Sequence, residues 1–232
     1  MFIKVNLNIG TARYLPENNP FRRIEARKSI KCFHMPKGVG GHVDSLVPDD
    51  LVTDAMVDRY LAIRPPLYRI TPAFDPIIEE IERTYVLGHT FSSIASSVVV
   101  IERMLNEARI QLHKHESPKL KQLWGKGPMN DWAPNINALR QWNYIQPSLA
   151  DELLTVYEIR CRYLHSGSID KPEVDSTRCV TAAFNVLTEF IGFPDRLFRI
   201  GSTIECIDKS HPLFEVFYKP ALSSHLADPN AS

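Results

Sequence analysis

The stretch PSLADELLTVYEIRCRYLHSGS, residues 147–168, decides how the rest of the chain is read. Its start carries helix-initiating chemistry. Ser148 is placed to act as N-cap, and Asp151 stands three residues later, where a capping-box acid belongs. Leu149, Leu153, Val156, Arg160 and Leu164 follow at three- and four-residue steps, so an apolar stripe leads into a guanidinium. Gly167 suits the residue just past a helix end, which puts His165 in the last turn or just beyond it. One helix therefore delivers Arg160 and His165 to its C-terminal end, and any chemistry belongs there.

Helical patterning extends outward from this segment in both directions. Asp75-Pro76 reads as a helix start, with the acid at N-cap and proline at the first helical position. A helix to about Leu87 follows, then a long one from His89 to about His115 through Ile94, Val98, Ile101, Leu105, Ala108 and Leu112. Pro118, Gly125, Gly127, Pro128 and Pro134 mark a loop, after which Asn135–Tyr144 gives a short helix with Ile136 and Leu139 inward. The last helix runs from about Val174 to Ile191 and buries Val180, Ala183, Phe184, Leu187 and Phe190 or Ile191. Residues 76–193 are thus expected to form a helical core.

The two ends read differently. Phe2–Ile9 alternates Ile3, Val5, Leu7 and Ile9 with polar residues, the pattern of a half-buried strand. Residues 10–50 are rich in Pro, Gly and Asn without a sustained period. Within them, PFRRIEARKSIK (20–31) is open to reading as a strand, a phosphate-facing patch or a solvated charged face. Pro48–Ile63 suits a short helix capped by Asp49 or Asp50 and ended by Arg64-Pro65-Pro66. Beyond Pro194, residues 197–200, 203–207 and 214–218 look extended, and the tail LADPNAS reads as disordered. The expected organisation is an N-terminal extension (1–75), the helical core, and C-terminal strand segments (194–232) that pair with the first strand.

Composition narrows the function classes. Lys plus Arg and Asp plus Glu are both 27 of 232 residues, so the chain is neutral and does not suit bulk nucleic-acid binding, leaving local basic patches open. The four cysteines, Cys32, Cys161, Cys179 and Cys206, include no CxxC pair and point to a reducing, cytoplasmic setting. The start, MFIKVNLNIG, lacks the apolar core of a signal peptide, and the apolar run 94–101 is too short to span a bilayer.

The order of a long helix, a loop, a short helix, a helix ending in RCRYLH (160–165) and a closing helix resembles the HEPN superfamily, specifically its members with an Arg-x4-6-His motif. The resemblance covers residues 89–191. It implies an antiparallel four-to-five-helix bundle, here with a small β element from the chain ends, and metal-independent RNA cleavage by a homodimer. It also implies a role in stress response or defence, with an antitoxin or other protein as partner, and no cofactor. By the same resemblance His165 is the acid–base group and Arg160 the phosphate clamp, with Arg162, Tyr163 and Ser166 assisting at the substrate. The chemistry fits these residue types. A histidine near neutrality exchanges a proton with a ribose hydroxyl or leaving oxygen, and a guanidinium holds a phosphate by two hydrogen bonds. Many active members carry Asn or Asp directly after the arginine, where this chain has Cys161. That departure gives the alternative expectation, a catalytically inactive HEPN-like module that binds a protein partner or a nucleotide.

Other groupings are weaker. Cys161 and His165, four residues apart, have the spacing of a helical metal-ligand pair or of a Cys–His nucleophile and base, but no further ligand lies nearby in sequence. His113, Lys114, His115, Lys119, Lys121 and Lys126 interleave with Trp124 and precede Trp132 and Trp142, a composition that suits single-stranded RNA or, more simply, a helix end beside core tryptophans. Glu79, Glu80 and Glu82 read as acids complementing the start of a helix dipole.

Overall fold

Apolar residues at three- and four-residue steps make Thr90–Glu116 the spine of the molecule, and the other elements are arranged on it. The computed structural model describes residues 11–33, 51–66, 75–116, 132–165, 170–192, 197–200 and 203–206. The fold is mainly α. In chain order the helices are α1 (Arg22–Phe33), α2 (Asp54–Ala62), α3 (Asp75–Val86), α4 (Thr90–Glu116), α5 (Trp132–Gln141), α6 (Pro147–His165) and α7 (Pro172–Leu187). A π-helical turn, Thr188–Gly192, extends α7.

Helix α4 packs along α7 and also meets α3, α5 and α6. The seam with α7 closes on small side chains: Ser93 and Ser97 are buried on α4, and the Ser93 and Ser176 hydroxyls hydrogen-bond at 2.6 Å. Val180, Ala183, Phe184, Leu187 and Phe190 are buried, as their spacing predicted. So are Ile136 and Leu139 of α5. Helices α5 and α6 form an antiparallel pair: Arg140 meets Asp151 at 3.1 Å beside their connection, while the rings of Trp132 and Tyr157 lie 6.0 Å apart farther along. Helices α6 and α7 are likewise antiparallel, tied by Arg162 to Asp175 near the connection and by Asn185 to Glu152 at the other end.

Two turns show how local chemistry sets the helix ends. Gly88, at φ 84°, lets its N–H reach the Tyr85 carbonyl and the His89 N–H reach that of Thr84, closing α3 with a left-handed cap. The Arg59 Nε–H donates to the Val86 carbonyl at 3.0 Å, so a cation also serves the negative end of the helix. The positive φ is what requires glycine at 88, and a Cβ there would also stand 2.9 Å from the end of the Arg59 side chain. Helix α5 ends the same way, with Asn143 at φ 61°.

The start of α6 differs from its reading. The helix begins at Pro147, and the Ala150 N–H bonds to the Gln146 carbonyl, so Ser148 is inside the first turn. Proline suits that position because its missing N–H would have had no helical partner.

The first 75 residues depart most from expectation. Most of the segment 20–31, read as strand, patch or charged face, lies in helix α1, and Thr11–Tyr14 forms a short 3₁₀ turn. The basic side chains of α1 meet acids on α2: Arg23 reaches Asp54 at 2.9 Å and Asp58 at 2.6 Å, and Arg27 reaches Asp54 at 2.7 Å. The Arg23 hydrogen bond and the Arg27 charge hold the Asp54 carboxyl below its ordinary value. Helix α2 is capped by Thr53, whose hydroxyl accepts from the Met56 N–H at 3.3 Å, and so starts after Asp49 and Asp50. Ala12, Ala26, Ile30, Val57 and Tyr60 belong to the same hydrophobic core as α3–α7.

Glu82 is not a dipole-complementing surface acid. It is buried on α3 and ion-paired with Arg13 at 2.7 Å. At the C-terminal side, β1 (Leu197–Ile200) and β2 (Thr203–Cys206) pair antiparallel, with Leu197 opposite Cys206. The strand expected over residues 2–9, its pairing with these segments, the segment 214–218 and the tail lie outside the described residues.

Candidate functional site

Helix α6 runs unbroken to His165, its last residue. On a continuous helix, at about 100° per residue, positions 160 and 165 stand about 140° apart around the axis. Positions 162 and 165 are one turn apart and neighbours on one face. The His165 side chain and Ser166 lie outside the described residues.

The two arginines have different surroundings. Arg160 turns toward α4 and α5. Its Nη2 lies 3.5 Å from Glu102 Oε2, its guanidinium carbon is 5.9 Å from the Trp132 ring centroid, and 24 % of its side chain is exposed. Its Nε is buried without a hydrogen-bond partner among the described residues. Arg162 is half exposed, at 47 %, and turns to α7. There its Nη2 donates to both carboxylate oxygens of Asp175 at 3.1 Å each. The carboxylate is buried in the first turn of α7, where the helix dipole favours its charge.

Tyr163 packs against the hydrophobic core, its ring 6.5 Å from that of Phe91 on α4. Burial, and then the Asp175 carboxylate, raise its phenol pKa. Tyr163 therefore fills the seam between α6 and α4, the core-packing use of its ring. Phe91 itself is exposed, so the first turn of α4 borders the same end of the molecule.

Of the basic and aromatic grouping, the described members His113, Trp132 and Trp142 are packing residues. Trp132 is buried, and Trp142 is covered by Arg109, whose guanidinium carbon is 4.3 Å from the ring. Arg109 Nη1 donates to His113 Nδ1 at 2.8 Å, since a guanidinium has no acceptor, so that nitrogen carries no proton. His113 is buried beside Trp142 and is no part of an exposed basic face. Residues 117–131, with Lys119, Lys121, Trp124 and Lys126, lie outside the described residues. Among the described residues no group of three or more His, Cys, Asp or Glu is arranged to hold a metal, and no helix is long and apolar enough to cross a membrane.

Cys179 lies buried on α7, and burial, with Asp175 next, pushes its thiol up to about 12. The thiolate is the reactive form, so Cys179 is expected to resist a disulfide reagent such as dithionitrobenzoate at pH 8 until the chain unfolds. Mass spectrometry of the native protein checks this. Modification of Cys179 as fast as in urea would contradict its burial.

The signal that sequence reasoning missed is Asp175, the second acid of the closing helix. Nothing in its local spacing marks it, because its partner is thirteen residues away on another helix. No protein-family model matches the chain, and no curated protein or solved structure matches it significantly.

Proposed function

We propose that this chain is a HEPN-like, metal-independent endoribonuclease that acts as a homodimer, with His165 as its acid–base group and a guanidinium of α6 holding the scissile phosphate. The observation that carries the reading is the half-exposed Arg162 one turn before His165, where α6 ends. Positions 162 and 165 are neighbours on one helix face, and a guanidinium and an imidazole are the groups that supply the two things transesterification needs, charge stabilisation and proton transfer.

A second reading is supported by a different observation. Arg160, the arginine of the Arg-x4-His motif, is engaged by Glu102 and followed by Cys161, which favours a catalytically silent module that binds a protein partner or a nucleotide.

Cleavage of single-stranded and structured RNAs in EDTA separates the two. The nuclease reading expects products with 2′,3′-cyclic phosphate ends from a dimeric wild type, and a fall of about 10²–10⁴-fold in His165→Ala with its helical circular dichroism intact. A folded wild type that cleaves none of these RNAs, or cleaves them as well without His165, overturns it.

A further inference from the structure

The Arg-x4-His spacing nominates Arg160, but the fold gives its two α6 arginines different tasks. Arg160 is built into the seam between α4, α5 and α6, with Glu102 at 3.5 Å and the Trp132 ring beneath it. It stands about 140° around the helix from position 165. Arg162 is on the face of position 165, and it is the more exposed of the two.

The way Arg162 is held is informative. A single nitrogen, Nη2, contacts both Asp175 oxygens, and among the described residues Nε and Nη1 have no hydrogen-bond partner. The Asp175 carboxylate therefore holds the guanidinium at one corner, through Nη2. The carboxylate that fixes it has 9 % of its side-chain surface exposed. Desolvating an acid is costly, and here the cost is offset by an arginine that itself stays half in water. The pair that ties α6 to α7 thus also sets the orientation of the Arg162 guanidinium.

We propose that Arg162 is the guanidinium that acts with His165 on the phosphate, that Asp175 is the positioning residue that aims it, and that Arg160 is held in the seam between α4, α5 and α6. The inference rests on the ribonuclease reading and names the residues of that site. In the step so served, the ribose 2′-oxygen forms a bond to phosphorus and the bond from phosphorus to the 5′-oxygen breaks. The 2′-hydroxyl proton passes to one His165 imidazole, and the departing 5′-oxygen takes a proton from the His165 of the second copy in the dimer. Nothing is oxidised or reduced. Arg162 donates to the non-bridging oxygens as their charge grows.

The test is steady-state cleavage of a labelled single-stranded RNA in EDTA by the full chain carrying Arg162→Lys, Arg160→Lys, Asp175→Asn, or the exchange Arg162→Asp with Asp175→Arg. Each variant's thermal midpoint is measured in parallel. Lysine keeps the charge but not the fork, so Arg162→Lys is expected to lower kcat by about 10²-fold with KM little changed. That loss should exceed the loss in Arg160→Lys by at least tenfold. Asp175→Asn should lower kcat less than Arg162→Lys and, as a positioning defect, leave KM near wild type. The exchanged pair should recover the thermal midpoint but not the rate, which a purely structural pair would not do. Arg160→Lys proving the more damaging, or the exchanged pair recovering both stability and rate, overturns the inference while the ribonuclease reading stands. A wild type without cleavage removes both.

Discussion

Glu82→Ala is expected to lower the free energy of unfolding by about 3–5 kcal/mol, because it strands a buried cation. Arg13 and Glu82 have 1 and 2 % of their side-chain surfaces exposed, and Arg13 Nη2 lies 2.7 Å from Glu82 Oε1. Arg13 Nε also donates to the Tyr60 carbonyl at 2.8 Å, and its guanidinium carbon is 3.7 Å from the centre of the Tyr60 ring. One side chain thus joins the 3₁₀ turn at Thr11–Tyr14, α2 and α3 inside the common core. Without the carboxylate, the arginine must stay charged in an apolar setting or pull its turn out into water. Urea denaturation gives the measurement. The double change Arg13→Met with Glu82→Leu should recover most of the loss, since well-packed apolar replacements of a buried pair are often neutral or better. A loss under about 1 kcal/mol for Glu82→Ala would mean that the pair is solvated and the N-terminal turn is not seated as described.

Phe184→Ala is expected to cost about 3–5 kcal/mol, the range for deleting a buried aromatic ring. Phe184 is buried on α7, on the helix face that also carries Val180, Ala183 and Leu187 and is packed against α4. Serines 93 and 97 leave little volume elsewhere in that seam to refill the cavity, so the upper half of the range is the better guide. Phe184→Leu, which keeps most of the contact, should cost distinctly less. Thermal and urea unfolding of the two variants supply the comparison. Equal stabilities for wild type and Phe184→Ala would show that the seam relaxes and that α4 and α7 do not close on this ring.

The two stability predictions probe opposite kinds of information. Phe184 was legible from the sequence because burial of an amphipathic helix follows its own period, and neighbours three and four residues apart declare the inward face without reference to the partner. The same reasoning located α3, α4, α5 and α7 to within a few residues, with Asp75-Pro76 marking the start of α3. Glu82 was misread because its sequence neighbours, Glu79 and Glu80, are surface-type acids. Its burial depends on Arg13, sixty-nine residues away, and no local pattern carries that distance. Helix α1 escaped for a related reason: its many charges mask a short apolar stripe, and the buried Ala26 and Ile30 find their partners only in the core shared with the other helices.

The candidate site divides along the same line. Sequence alone determined that Arg160, Arg162 and His165 share one helix and that the helix ends near His165, because propensity, apolar period and a following glycine are local properties of the chain. Tertiary structure decided which arginine is engaged by which acid. Glu102 comes from α4 and Asp175 from α7, and the packing of α6 against those two helices gives Arg160 to the seam and leaves Arg162 half in water. Ion pairs form between groups that packing brings within a few ångströms, and that proximity is set by the whole core, which no spacing along a single helix encodes.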